Sequence, residues 1–298
     1  MVKNLLAYRS TTQPNILPQL QSFKSKIADT PVYHPVKGLN VPKVSAVIIT
    51  FNEELIIGET LSRLWWCDEI IIVDSNSTDR TVEICKTYGC TVYNQVIDGF
   101  GRQKLFGVSK AKNDWILCID ADELLSESLV EEIQEKLSEK ELPAAFEIPL
   151  NLVFMNKVFK YGKETNSFKI RLFNKNHGNW NGAVVHESVL VKGPIVKLKN
   201  KIFHYSYNSY SQFLKKIDLY STLSAIKMSE KKSGKNKLII VLGIPFNFCK
   251  YYFLDGNFLN GYRGFTWAVL NSLYHFIKYL KYDELAQARL NSELKSKV

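Results

Sequence analysis

Three apolar runs in the first half of the chain each stop at acidic or amide side chains: "VSAVIIT" meets "FNEE", "EIIIVD" meets "SNSTD", and "WILCID" meets "ADE". Short unbroken apolar runs closed by turn-forming residues are what strands buried on both faces of a sheet look like. The intervals between them have helical spacing. "ELIIGETLSRLWW" can place Leu55, Ile56, Leu61, Leu64 and Trp65 on one face. "RTVEICKTYG" follows Ser77 or Asp79 as a helix start and ends at Gly89 as a helix stop. "CTVYN" reads as a further short strand, and "GFGRQKLFGVSKAKND" as a glycine turn into a helix. Strands alternating with helices require right-handed crossovers and a mostly parallel sheet. The expected fold class is therefore α/β, with the sheet flanked by helices. In such sheets ligands bind beyond the carboxyl ends of the strands, where Thr50 to Glu53, Asp74 to Asp79 and Asp120 to Glu123 all fall.

The remainder of the chain has a different texture. Residues 1–42 show no clear period and read as an N-terminal extension. After the amphipathic "SLVEEIQEKLSEK" come β-like pieces, "AFEIPLNLVF", "SFKIRLFNK", "ESVLVKG" and "IVKLKNKIFHYS". The expected domain spans residues 43–207, and residues 208–298 form a helical appendage. Within that appendage "LIIVLGIPFNFC" is very apolar, but Gly243, Pro245 and Lys250 interrupt it before the roughly 20 residues of a spanning helix are reached. "FTWAVLNSLYHFIKYLKY" mixes Trp267, Tyr274, Phe276 and Tyr279 with Lys278 and Lys281. That mixture suits a helix lying in a membrane interface, and equally a bundle helix that packs or dimerises.

A net charge of +10 points to an anionic partner, and nucleic acid, anionic lipid and phosphorylated small molecules all qualify. The basic stretch "KMSEKKSGKNK" reads as a solvated linker rather than a nucleic-acid surface, so no nucleic acid is expected. Five cysteines, an odd number with no CxxC pair, fit a reducing compartment, and the first twenty residues do not resemble a secretory signal. A cytoplasmic location follows as an expectation.

"WILCIDADE" carries the chemistry. If the chain stays extended, Asp120 and Asp122 project to the same side and can share a hard divalent cation, Mg²⁺ or Mn²⁺. A solvated turn that caps the next helix would look the same in isolation. "VSAVIITFNEE", "IIIVDSNSTDRT" and "WILCIDADE", in that order and spacing, resemble the nucleotide-sugar half of a family 2 glycosyltransferase with the GT-A fold, from about Val44 to Asp122. "GFGRQKLFG", "KIRLFNK", "VVHES" and "YYFLDG" to "GYRGFTWAVLNSLYHFIKYLK" further resemble the branch that includes bacterial lipopolysaccharide inner-core β-1,4-glucosyltransferases.

The resemblance implies an inverting, metal-dependent transfer of a hexose, glucose by the branch, from a UDP-sugar to a saccharide or lipid-linked saccharide at an anionic membrane surface. It assigns Thr50, Asn52, Glu53 and Asp74 to the nucleoside, Lys104, Asp120 and Arg171 to donor groups, and Asp122 with His186 to the metal. Glu187 becomes the catalytic base. Many family members carry Glu-Asp where this chain has His186-Glu187. A nucleotidyltransferase would share sheet and metal but needs a glycine-rich phosphate loop where this chain has "FNEE". A non-catalytic membrane-associated scaffold on the same fold is the other alternative.

Overall fold

The computed structural model describes residues 41–96, 99–165, 167–183, 187–207, 209–230 and 236–295. His186 and almost all of the N-terminal extension lie outside the described residues. The chain divides into two compact units, one within Met1–Ile148 and Lys169–Asn200, the other within Pro149–Phe168 and Lys201–Val298.

The first unit holds the alternating pattern. Strand β1 (Val44–Thr50) is followed by helix α1 (Ile57–Ser62), β2 (Glu69–Asp74), α2 (Thr81–Thr87), β3 (Thr91–Asn94), α3 (Phe100–Lys110) and β4 (Trp115–Asp120). Next come β5 (Glu123–Leu125) and α4 (Glu127–Leu137), where Ser126 Oγ accepts the Leu129 N–H in the cap. The strands β1, β2, β3 and β4 are mutually parallel in the order β3-β2-β1-β4. The chain thus runs outward from β1 to β3 and returns on the other side of β1 as β4. That reversal makes a switch point between β1 and β4, at whose carboxyl ends Thr50 and Asp120 sit. Strand β8 (Ser167–Asn174) pairs antiparallel with β4 and brings Arg171 alongside it. A separate ribbon of β9 (Gly178–Trp180) and β10 (Val189–Val191) follows.

Val47, Ile71, Val73, Ile116, Cys118 and Phe173 form the core under α3. The closeness of that packing is set by Gly107. A Cβ there would lie 2.4 Å from Val47 Cγ1 and 3.1 Å from Val73 Cγ2.

Helix α1 is shorter than its hydrophobic period suggests. It stops at Ser62, after which Arg63, Leu64 and Cys67 donate to residues three back, tightening the chain so that Leu64 turns inward and Trp65 outward. The Thr60 hydroxyl donates to the Ala121 carbonyl at 2.7 Å, holding this short helix against the turn after β4.

In the second unit, the later part of β6 (Ala145–Phe154) pairs with β7 (Lys157–Val158) and β11 (Ile202–Tyr207). Helices α5 (Tyr210–Glu230), α6 (Lys237–Cys249) and α7 (Tyr262–Lys295) complete it, with a π-helical turn, Lys250–Leu254, directly after α6. Phe154, Phe159, Phe213 and Trp267 pack edge to face, the Phe154 and Trp267 centroids 5.3 Å apart. Trp267 therefore belongs to a core, Tyr274 bonds Ser224, and Lys281 bonds Asp218, so this part of α7 takes the bundle-helix option. The apolar face left open lies elsewhere. Among the described residues, one stretch, Lys237–Leu254, is long and apolar enough to cross a membrane, with mean hydropathy 1.3 and none of it buried. Gly243 and Pro245 do not break it, because α6 continues through both.

Gly107→Val is expected to lower the urea midpoint, by about 1 to 3 kcal/mol of stability, because the helix must lift from Val47 to admit the side chain.

Candidate active site

The carboxyl end of β1 is joined to that of β2 by Asp74. Its carboxylate is fully buried and accepts from the Thr50 hydroxyl at 2.8 Å, the Ser77 N–H at 2.7 Å and the Ser77 hydroxyl at 2.5 Å. The loop after β1 is held by similar bonds. Asn52, at φ 54°, accepts the Thr78 N–H through its side chain and donates its own N–H to Ser77 Oγ. The Glu53 N–H donates to Thr81 Oγ1, and Asp79 accepts from the Thr81 N–H and the Glu54 N–H. Asp79 thus closes the turn into α2, and Gly89, at φ 73°, ends that helix. Asn52 and Glu53 remain half-buried at the rim of this corner, whereas Asp74 is enclosed within it.

The carboxyl end of β4 is charged throughout. Lys104, on α3, is 1% exposed, and its Nζ lies 2.9 Å from Asp120 Oδ1 and 2.9 Å from Glu187 Oε1. The ring of Trp180 lies 4.5 Å from the same nitrogen. Arg171 Nη2 reaches Asp120 Oδ2 at 3.2 Å and Glu123 Oε1 at 2.5 Å, while Glu123 Oε2 accepts the Asp120 N–H at 3.1 Å. Burial would push the Asp120 carboxyl up, but Lys104 and Arg171 overcome burial and the repulsion of Asp122, holding it at about 2. Burial pulls the Lys104 ammonium down, and Asp120 and Glu187 more than restore it.

The residues singled out in the sequence therefore fall into two adjoining groups on one unit. Thr50, Asn52, Glu53 and Asp74 shape the β1–β2 corner; Lys104, Asp120, Arg171 and Glu187 form a charge network beside it. Glu123 and Trp180 complete that network, and sequence reasoning gave neither this place. Trp180 lies in strand β9 and is buried. The signal for Glu123 was present in the carboxylate cluster itself: a carboxylate following a buried strand and facing a strand arginine is a pairing candidate. Gln103 is buried and bonds the Val73 carbonyl and Ser75.

Residues 45–189 match the family described as Glycosyl transferase family 2. An uncharacterized glycosyltransferase of Rickettsia bellii is 31% identical over 261 residues, which cover 82% of this chain and 87% of that one. The chain belongs to glycosyltransferase family 2. The glycosyltransferase is also 26% identical over 246 residues to the lipopolysaccharide core biosynthesis glycosyltransferase LpsC of Rhizobium meliloti, covering 80% and 91% of the two chains. A solved structure, S. aureus TarS 1-349, superimposes with a TM-score of 0.43 at 14% identity, over 83% of this chain and 92% of that one. The sheet order and the helices flanking it are those of a Rossmann-like GT-A core with a helical C-terminal region.

The fit of a divalent cation to this glycosyltransferase can be judged from the donor set. Among the described residues no three His, Cys, Asp or Glu side chains form a ready-made metal cage. Asp120 and Asp122 supply two carboxylates close enough for Asp122 to perturb Asp120. Mg²⁺ and Mn²⁺ sites that include a substrate phosphate ordinarily use one or two protein carboxylates, so the pair fits. Among the described residues the strand end gathers Asp120, Asp122, Glu123 and Glu187 with Lys104 and Arg171. Among the described residues the buried Nε of Arg171 has no hydrogen-bond partner, so the network retains an unused donor there.

Lys104→Met should cost about 3 to 5 kcal/mol of stability, measured by urea unfolding, since Asp120 and Glu187 are left without their shared cation. A carboxyl near 3.9 when unfolded and about 2 when folded gives stability that is complete above pH ~4 and disappears as the pH falls toward 2. In Asp120→Asn that acid-dependent loss should shrink, as followed by thermal melts from pH 5 to 2.

Proposed function

We propose that this glycosyltransferase transfers a hexose, glucose in the first instance, with inversion from a UDP-sugar to a lipid-linked saccharide such as a lipopolysaccharide core. The site of action is the inner face of the cytoplasmic membrane. The observation that carries the reading is the charged carboxyl end of β4 at the switch point of the sheet, where one buried lysine joins Asp120 to Glu187. The name of the Rhizobium meliloti relative supports the acceptor class, and the net charge of +10 supports an anionic surface.

Thr50, Asn52 and Glu53 would border the nucleoside, with Asp74 positioning that corner through Thr50 and Ser77 rather than lying open itself. Asp122, with Asp120 beside it and His186 as a further candidate ligand, would hold a divalent cation. When bound, that cation would offset the negative charge gathering on the departing diphosphate. Arg171 fixes Asp120 from behind, between it and Glu123. Glu187 would take the proton from the acceptor hydroxyl. The freed oxygen lone pair forms the new bond to the anomeric carbon as the bond to the diphosphate oxygen breaks, and that electron pair leaves with UDP. Lys104 aims Glu187 by its ion pair.

Calorimetric titration with UDP and GDP, each with and without Mn²⁺, tests the donor. Metal-dependent binding of UDP, weakened at least about tenfold in Asp122→Asn, is the expected result. Equal affinity for both nucleotides, or UDP binding untouched by that substitution, contradicts it. Glu187→Gln should retain UDP binding while losing roughly 10²- to 10⁴-fold in the transfer rate in a radiolabelled-sugar assay.

A further inference from the structure

Helix α6 has no polar face. Ile240, Ile244 and Phe248 lie on its half-buried side, where the Phe248 ring packs 5.7 Å from that of Phe265 on α7. Leu238, Leu242 and Phe246 cover the opposite side, each more than half exposed, and Phe253 and Leu254 extend the same apolar surface through the π turn. Phe246 is 67% exposed and Leu254 80%. A surface helix of a water-soluble domain shows polar residues on its outer side; one that is apolar all round has its outer side covered.

Charge indicates what covers it. Lys237, exposed, and Lys250, half-buried, flank the apolar run of α6 in the chain. Asp255 is the one acidic residue between Lys237 and Phe265 in the sequence, and its side chain is 5% exposed and faces Lys163 at 3.3 Å. The stretch thus offers solvent cations and greasy side chains without an exposed carboxylate. Tyr251 and Tyr252 stand beside Lys250, with the Tyr251 hydroxyl 2.8 Å from His275 Nε2 on α7. Aromatic side chains beside snorkelling lysines suit the boundary between headgroups and acyl chains. One flank of α6 is already occupied by α7, which favours a helix lying in the interface plane over one that spans.

We propose that the outer side of α6 and its π turn is the surface by which this enzyme docks on an anionic bilayer leaflet. The proposal rests on the membrane-surface reading above and assigns that contact to Lys237–Leu254 rather than to the aromatic stretch of α7. The test is sedimentation of the full chain with phosphatidylcholine vesicles, with and without phosphatidylglycerol. Wild type should bind the anionic vesicles at least about tenfold more tightly than the neutral ones. Phe246→Glu with Leu254→Glu, two exposed positions, should abolish sedimentation, and Lys237→Glu with Lys250→Glu should remove the preference for anionic lipid.

Wild type remaining in the supernatant, or sedimenting undiminished in the Phe246→Glu, Leu254→Glu variant, overturns the assignment. Equal binding to neutral and anionic vesicles also overturns it. So does a dimer in light scattering that this variant splits without any vesicle binding, since a second copy would then be the cover. Calorimetry with UDP and Mn²⁺ in vesicle-free buffer is read in parallel. Unchanged UDP binding in a variant that no longer sediments supports a docking role separate from the donor site. Wild type that sediments as expected but ignores UDP leaves the docking surface standing and removes the donor reading.

Discussion

A lysine ammonium that is 1% exposed survives only if its charge is answered on the spot, and in this chain two carboxylates answer it from different segments. Asp120 ends β4, and Glu187 lies between β9 and β10. Leaving such a charge alone would cost several kcal/mol. The cost of an unanswered ammonium thus links α3, the end of the fourth strand and the β9–β10 connection into one piece. Trp180 gives the ammonium an aromatic face, and Arg171 with Glu123 braces Asp120 from the far side. Every group bound to the lysine then has a fixed direction.

The sheet explains why these segments meet. Strand order β3-β2-β1-β4 leaves a crevice at the carboxyl ends of β1 and β4, and the chemistry-bearing side chains are those that strand ends deliver there. Around β1 and β2 the polar residues mostly satisfy one another. Asp74 ties Thr50 to Ser77, and Asp79 ties the next turn. Around β4 they are charged, with Asp120, Glu123 and Glu187 meeting Lys104 and Arg171. One end is a shaped polar wall and the other a charged site.

Much of this was legible in the residues. The strands ending at Thr50, Asp74 and Asp120 follow from unbroken apolar runs, and the parallel sheet follows from the helical intervals. Helix α1 was overread because hydrophobic spacing does not register the tight turns after Ser62, where Arg63, Leu64 and Cys67 bond to residues three back. The resemblance set Lys104 against donor groups, but its burial was not legible, since nothing local says that a lysine in "GRQKLFG" will be buried; only long-range partners 16 and 83 positions away decide it. Trp180, which reads in the sequence as a loop residue able to stack on an acceptor sugar, is instead buried in β9 over Lys104 for the same reason. The apolar outer side of α6 was misjudged by assuming that Gly243 and Pro245 must end the helix, whereas it runs through both.

Lys104 and Glu187 act as one unit, and a double-mutant cycle measures their coupling directly. Urea unfolding of wild type, Lys104→Met, Glu187→Gln and the double variant gives the coupling between the two side chains. The double variant should be more stable than the sum of the single losses implies, by about 1 to 3 kcal/mol, since removing either partner already forfeits the pair. Losses that add within about 0.5 kcal/mol would mean that the ammonium and the carboxylate are neighbours without being partners.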